Sequence, residues 1–228
     1  MKVGFGIPRK LGEPPAWRQN THGEMLRLGQ KAEALGFDSI WVPDHYFFER
    51  PPGAFTPFPE AWTLMTALLC GTRQAQVGSM VIAAGGERMM RLTARYASAF
   101  NAAGGGPGGE GFRGKLAELH AACRAIGRDP AEIEITYSAT VVVLPDAATT
   151  RRAIEVIAAK PPAIPPDEVR ARYAIGTPDE VADGLLRTRE WGVQHLVLGL
   201  GAEPFTLWSE DSLELFAREV LPRLKAAR

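Results

Sequence analysis

The chain has 228 residues in which 26 Lys+Arg are balanced by 26 Asp+Glu, so no charge excess points to nucleic acid or to an anionic membrane surface. Hydrophobic residues at 46% and charged residues at 23% are globular averages, which argues against disorder and allows one sizeable core. Glycine (24) and proline (18) together exceed the roughly 12% of average usage, so many turns and short repeated α/β units are expected.

The first segment, Val3 to Ile7, is a short apolar run closed by Pro8 and reads as a buried strand. Residues 11–20, with Pro14 and Pro15, read as a loop. Thr21 and Glu24 form a capping-box pair, and Met25, Leu28, Ala32 and Leu35 recur at helical spacing up to Gly36. Ser39 to Val42 is the next buried strand. A long aromatic- and proline-rich loop follows it, of the length that usually carries function. A helix over 59–70, a strand over 77–83 and a helix from Glu87 come next, with a very short strand at 99–101. The glycine-rich GGGPGGEG is a connector. Beyond it lie a helix over 112–126, a long β-branched strand over 133–144 and a helix over 147–159, and KPPAIPP is too proline-rich for regular structure. Thr177, Pro178 and Glu180 make a strong helix start, His195 to Leu200 is the last buried strand, and a helix over 212–224 has Pro222 placed to loosen its final turn.

Cys70 and Cys123 are far apart, have no metal-ligand spacing and are expected to be reduced, buried or semi-buried thiols. No apolar run approaches the ~20 residues of a membrane span and no signal-peptide pattern is present, so the expected location is the cytoplasm. Apolar strands without polar alternation, each followed by an amphipathic helix, predict a parallel sheet covered by helices. The first strand-to-helix turn lacks G-x-G-x-x-G, so a β/α barrel is the better reading, although only six strands are counted.

Four stretches, GFDSIWVPDHYF, GGERMMRLTARYASAFN, KLAELHAACRAIGRDPAEIEIT and IGTPDEVADGLLRTREWGVQHLVLGL, resemble in order the luciferase-like flavin- or coenzyme F420-dependent oxidoreductases. The resemblance implies one domain, 1–228, built as a TIM-like (β/α) barrel that lacks about two βα units, the family's central segment being missing at about 81–83. It also implies a small organic substrate, FMN or F420 as cofactor, and hydride transfer with oxygen insertion as an option. Six strands cannot close an eight-strand barrel, so a homodimer is expected, in which a partner subunit covers the open edge. The alternative is a non-catalytic flavin-binding protein, or a deletion remnant stabilised by dimerisation.

His45 lies just beyond the C-terminal end of a buried strand, where barrel enzymes place their chemistry, and an imidazole there can exchange a proton with a reacting group. The adjacent Asp44 could orient it or help hold the loop. The residues alone leave open a histidine that only caps the strand end or hydrogen-bonds within the loop; the resemblance implies the catalytic role for His45. Gly85 and Gly86 precede a helix whose first N–H groups, with Arg88, could receive a phosphate, or they form an ordinary turn. The resemblance implies phosphate binding there. It also places Ser79 and Met80, beside Gly78, on the strand where the family often holds a strained non-proline cis peptide against the cofactor ring. Gly4 and Gly6 either let a ring approach the barrel floor or fit a crowded core. Tyr46, Phe47, Phe48, Phe55 and Phe58 could line an apolar pocket, a dimer contact or the core. No metal is expected, and His195, at the N-terminal end of the last strand, is not counted as catalytic.

Overall fold

The computed structural model describes residues 1–45, 47–49, 55–80, 86–103 and 110–226. The strands in chain order are β1 (Lys2–Gly6), β2 (Lys10–Leu11), β3 (Arg18–Gln19), β4 (Ser39–Pro43), β5 (Phe47–Glu49), β6 (Phe55–Pro57), β7 (Gln76–Met80), β8 (Ala99–Ala103), β9 (Glu134–Val143), β10 (Ala174–Gly176), β11 (His195–Gly199) and β12 (Thr206–Leu207). The helices are α1 (His22–Ala34), α2 (Ala61–Gly71), α3 (Glu87–Tyr96), α4 (Glu110–Ala125), α5 (Ala147–Ala158), α6 (Pro166–Arg172), α7 (Pro178–Leu186), α8 (Glu210–Leu215) and α9 (Leu221–Ala226).

Seven parallel strands form one curled sheet, a TIM-like half-barrel. β7, β4, β1, β11 and β9 are successive neighbours, and β9 also pairs with β8 and β10. The ten residues of β9 serve three partners along their length: β8 beside 134–138, β11 beside 136–140 and β10 beside 141–143. The strand missed in the sequence, β10, is three residues long and runs straight into the Thr177 cap, too short for periodicity to register. Two expected loops also carry short ladders, the β5–β6 hairpin and the β12–β2–β3 sheet. The predicted strand over 77–83 is observed as β7, ending at Met80; residues 81–83 lie outside the described residues.

The helices form where their caps and apolar stripes direct. Thr21 and Glu24 close a capping box at α1, whose Met25, Leu28, Gly29 and Ala32 are buried. Gly29 lets α2 approach, because a Cβ there would stand 2.5 Å from Leu68. The Glu33 carboxylate accepts N–H bonds from Arg73, Gln74 and Ala75 at 2.8, 2.6 and 2.8 Å, fixing the turn into β7. Glu210, gripped by Arg27 and Lys31 of α1, has its pKa lowered to about 2 and ties the last helix to the first. Pro222 does not loosen the final turn as expected. A wide π-turn at Phe216–Val220 sits one turn earlier, with Leu221 N–H bonding Phe216 O, and the helix continues to Ala226. Cys123 is buried, but Cys70 is exposed, since it faces outward on α2 opposite Leu64 and Leu68.

Among the described residues β7 pairs only with β4, and β8 only with β9, so the sheet is open between β7 and β8. Large apolar side chains are exposed on the helices that follow β7's neighbour and precede β8: Trp62 (68%) and Leu69 on α2, Leu92 and Tyr96 (71%) on α3. No helix of the described residues is long and apolar enough to cross a membrane.

On the inner face, Trp41 Nε1 donates to Ser39 Oγ at 2.8 Å, and Ser39 Oγ lies 2.8 Å from His195 Nε2. With Ser39 donating to the ring, the imidazole proton sits on Nδ1, 3.8 Å from Glu134. This chain fills the floor so completely that a Cβ on Gly4 would fall 2.4 Å from Ser39 Oγ and 2.7 Å from Trp41 Nε1. Gly4 therefore serves the crowded core. Gly4→Val should cost several kcal/mol in urea unfolding, on the order of other core overpacking; a loss below about 1 kcal/mol would refute this.

His195 is only 2% exposed, and burial pushes its pKa below the ordinary histidine value, against the opposing pull of Glu134. The unfolded chain therefore takes up the proton first, and stability is lost as pH falls below about 6.5. His195→Gln should flatten the dependence of unfolding free energy on pH between about 7 and 5.

Candidate functional site

The chain directions of β1, β4, β7, β9 and β11 bring their C-terminal ends together, and a cavity of about 630 Å³ opens there. Gly6, His45, Met80, Ser138, Thr140 and Gly199 line its inner part, with Phe205 over Gly6. Tyr137 and Ala139, on the other face of β9, line it as well, so the cavity passes the strand and continues beneath α6 and α7 to Trp191. Its size falls within the roughly 300–1,000 Å³ of small-molecule sites.

His45 is placed by β4, which ends at Pro43, two residues before it. Its ring lies 5.6 Å from that of Phe58, and the Arg9 guanidinium lies 5.0 Å above the same Phe58 ring. Arg9, 7% exposed, follows β1 by three residues and has its pKa lowered by burial; Glu203 stands 3.6 Å from it and also pairs with Lys160. Lys160 and Lys10 lie 4.8 and 4.9 Å from the Trp17 ring. The rim beside His45 is therefore a cationic and aromatic assembly with one shared carboxylate.

A second polar group joins β8 to β9, and its Ser138 lines the cavity. Asn101 Nδ2 donates to Ser138 Oγ at 3.0 Å, and Thr136 Oγ1 donates to Asn101 Oδ1 at 2.9 Å. Ser138 Oγ lies 3.8 Å from Met80 Sδ, which reaches across the opening from β7 to β9.

The candidate residues are thus divided. His45, Gly6 and Met80 share the cavity. Asp44 is exposed and does not line it; its N–H bonds Met80 O at 3.3 Å, and its carboxylate has no ion pair or hydrogen bond among the described residues. Ser79 is half-buried on the face of β7 opposite Gly78 and Met80, because side chains alternate along a strand. The Gly78–Ser79 and Ser79–Met80 bonds are trans, and Gly78 instead makes room for Trp41, 2.9 Å from its would-be Cβ. Gly86, at φ +104°, is the N-cap of α3 with no side-chain cap and, among the described residues, nothing within 4 Å of where a Cβ would stand, and Arg88 is exposed; neither lines the cavity. Gly85 and Tyr46 lie outside the described residues. His22 is exposed and His120 half-buried, both away from the cavity.

Arg9, Asn101, Ser138 and Glu203 were not marked in the sequence. The rule that selected His45, a polar residue just past a strand's C-terminal end, applies equally to Arg9 after Pro8. Asn101 and Ser138 needed the β8–β9 register to be seen together.

A parallel half-barrel with its cavity at the strand C-terminal ends defines a TIM-like α/β protein. The chain belongs to the luciferase-like monooxygenase family, whose profile matches residues 1–82 and 80–161 in two pieces. A 73-residue stretch, 32% of this chain, is 32% identical to an F420-dependent glucose-6-phosphate dehydrogenase of Amycolatopsis mediterranei (strain U-32) and spans only 21% of that relative's length. The fold is similar to an F420-dependent secondary alcohol dehydrogenase solved with an F420-acetone adduct, with TM-score 0.74, 14% identity and 98% of each chain covered. It is also similar to riboflavin lyase (RcaE), solved with modified FMN and riboflavin, with TM-score 0.72, 12% identity, and 99% and 91% of the two chains covered.

Asn101 satisfies two hydroxyls at once, so Asn101→Ala should cost about 1–3 kcal/mol by leaving Thr136 and Ser138 short of partners. Urea unfolding checks this, and a change under about 0.5 kcal/mol would show the cluster is not structural.

Proposed function

We propose that the chain binds FMN or coenzyme F420 in the cavity at the strand ends and acts as an oxidoreductase on a small organic substrate. The observation that carries this is the convergence of His45, Gly6 and Met80 on one cavity. The residues fit such a group: Gly6 leaves bare backbone where a Cβ would already touch Leu198 O at 3.4 Å, and Gly86 leaves the first N–H groups of α3 without a side-chain cap. Gly85, Gly86 and Arg88 are assigned the phosphate, with Met80 beside the ring and Ser79, on the opposite face of β7, left out of the cofactor's bed. When bound, the ring supplies hydride chemistry. His45 accepts the proton of a reacting hydroxyl or donates one to a reacting carbonyl oxygen, Phe58 and Arg9 fix its imidazole, and Phe205 limits water from the β11 side. Asp44 holds the loop through its bond to Met80.

The two-piece family match meets at residues 80–82, where β7 ends, and supports the absence of the family's central segment at about 81–83. The open edge between β7 and β8 favours a second reading, cofactor binding without turnover, since part of the ligand's bed would lie on that segment. A homodimer would cover the apolar side chains of α2 and α3.

Titration of purified protein with FMN and with F420 should shift the cofactor's absorbance, and no shift with either would overturn both readings. His45→Ala should leave that shift in place. Any F420 or FMN reduction by alcohols or sugar phosphates should fall about 10²–10⁴-fold. Retained turnover would remove His45 from the chemistry.

A further inference from the structure

The outer end of the cavity carries charge that the proposed proton chemistry does not use. Arg170 of α6 and Arg187, just after α7, both line it, and neither guanidinium has an ion pair or hydrogen bond among the described residues. Among the nearby carboxylates, Glu168 pairs with Arg172, Asp183 with Arg223 and Glu203 with Lys160, while Asp167 and Glu190 make no ion pair with either arginine. Glu180, which also lines the cavity, accepts the Thr177 N–H at 2.8 Å as part of the α7 cap. Between this rim and His45 the wall is mainly apolar.

From this arrangement we propose that the substrate is an amphiphilic anion. Its carboxylate or phosphate is held by Arg170 and Arg187, its apolar body lies along the cavity, and its reacting hydroxyl or carbonyl is at the His45 end. The inference rests on the cavity being the ligand site of the proposed function, and it names the class of substrate that site takes. Arginine suits the role because its planar fork matches both oxyanions bidentately. Tyr173, whose pKa is raised by burial, remains a neutral phenol at the same rim and can donate to the same oxygens. The cofactor's phosphate is assigned elsewhere, at the start of α3, so this rim is left for the substrate.

Trp191 lines the cavity and its fluorescence reports occupancy without cofactor. Octanoate, octyl phosphate and octanol share an eight-carbon body and differ in head group. The two anions should bind roughly tenfold or more tighter than octanol, the advantage shrinking with added salt. Arg170→Ala with Arg187→Ala should abolish that advantage while leaving octanol binding and the melting temperature unchanged. Arg187→Lys should retain part of it. Equal binding of octanol and octanoate, or an undiminished preference in the double variant, would overturn the proposal. Titration with FMN and riboflavin separates the two sources of an anion: a double variant that loses FMN's advantage over riboflavin assigns these arginines to the cofactor phosphate and overturns the substrate assignment. Arginine-dependent octanoate binding in a protein that shifts neither FMN nor F420 would instead remove the oxidoreductase reading and uphold the anion site.

Discussion

A strand inside a sheet needs hydrogen-bonding neighbours along both edges, and β9 finds three of them, all parallel. Its lower half holds β8 and β11 on its two edges, and its upper residues pick up β10. Because side chains alternate along it, the same ten residues give Ser138 and Thr140 to the inner face of the sheet and Tyr137 and Ala139 to the outer layer. The cavity follows from this arrangement. It is the space left around a strand that changes partners part-way, and every lining residue from β10, β11, α6 or α7 is placed by that strand.

Two polar assemblies then divide the inner face by height. At the floor, half-buried Trp41 and buried Ser39 and His195 are hydrogen-bonded in series and packed against the bare backbone of Gly4 and Gly78. At the mouth, His45, Phe58 and Arg9 are in ring contact, and Glu203 is shared between two cations. Burial acts on both layers through the same physics, depressing the basicity of His195 and Arg9, yet with different results. The floor histidine is held neutral by its packing, whereas the mouth places its imidazole against a cavity.

Much of this was legible in the sequence where the signal was local. The Thr21–Glu24 and Thr177–Glu180 boxes, the apolar strands and the position of His45 after a strand are written in residues a few places apart. What was not legible depended on register or on partners distant in the chain. Glycines at 4, 6 and 78 look alike in sequence, yet one makes room for Ser39 and Trp41, one lines the cavity and one accommodates the Trp41 ring. Ser79 and Met80 are adjacent, and only strand alternation decides that Met80 faces the cavity. Pro222 drew attention to the last turn, whereas the helix adapts by a wide turn upstream. β10 was too short to announce itself, and Asn101 acquires its role only when β8 is laid beside β9.

The placement of β1 has a consequence for how the chain acquires its structure. It precedes the other strands of its sheet in the chain, yet it lies inside the sheet, with Lys2 opposite His195 and Gly4 opposite Ser39. One of its edges can be satisfied early by β4, but the other must wait for β11, far along the chain. Such a pairing carries a large loop-closure entropy and places the protein among slow-folding topologies of high contact order. Until β11 arrives, the nascent chain displays an unpaired edge beside Val3 and Phe5, a stretch that chaperones or early association would have to shield.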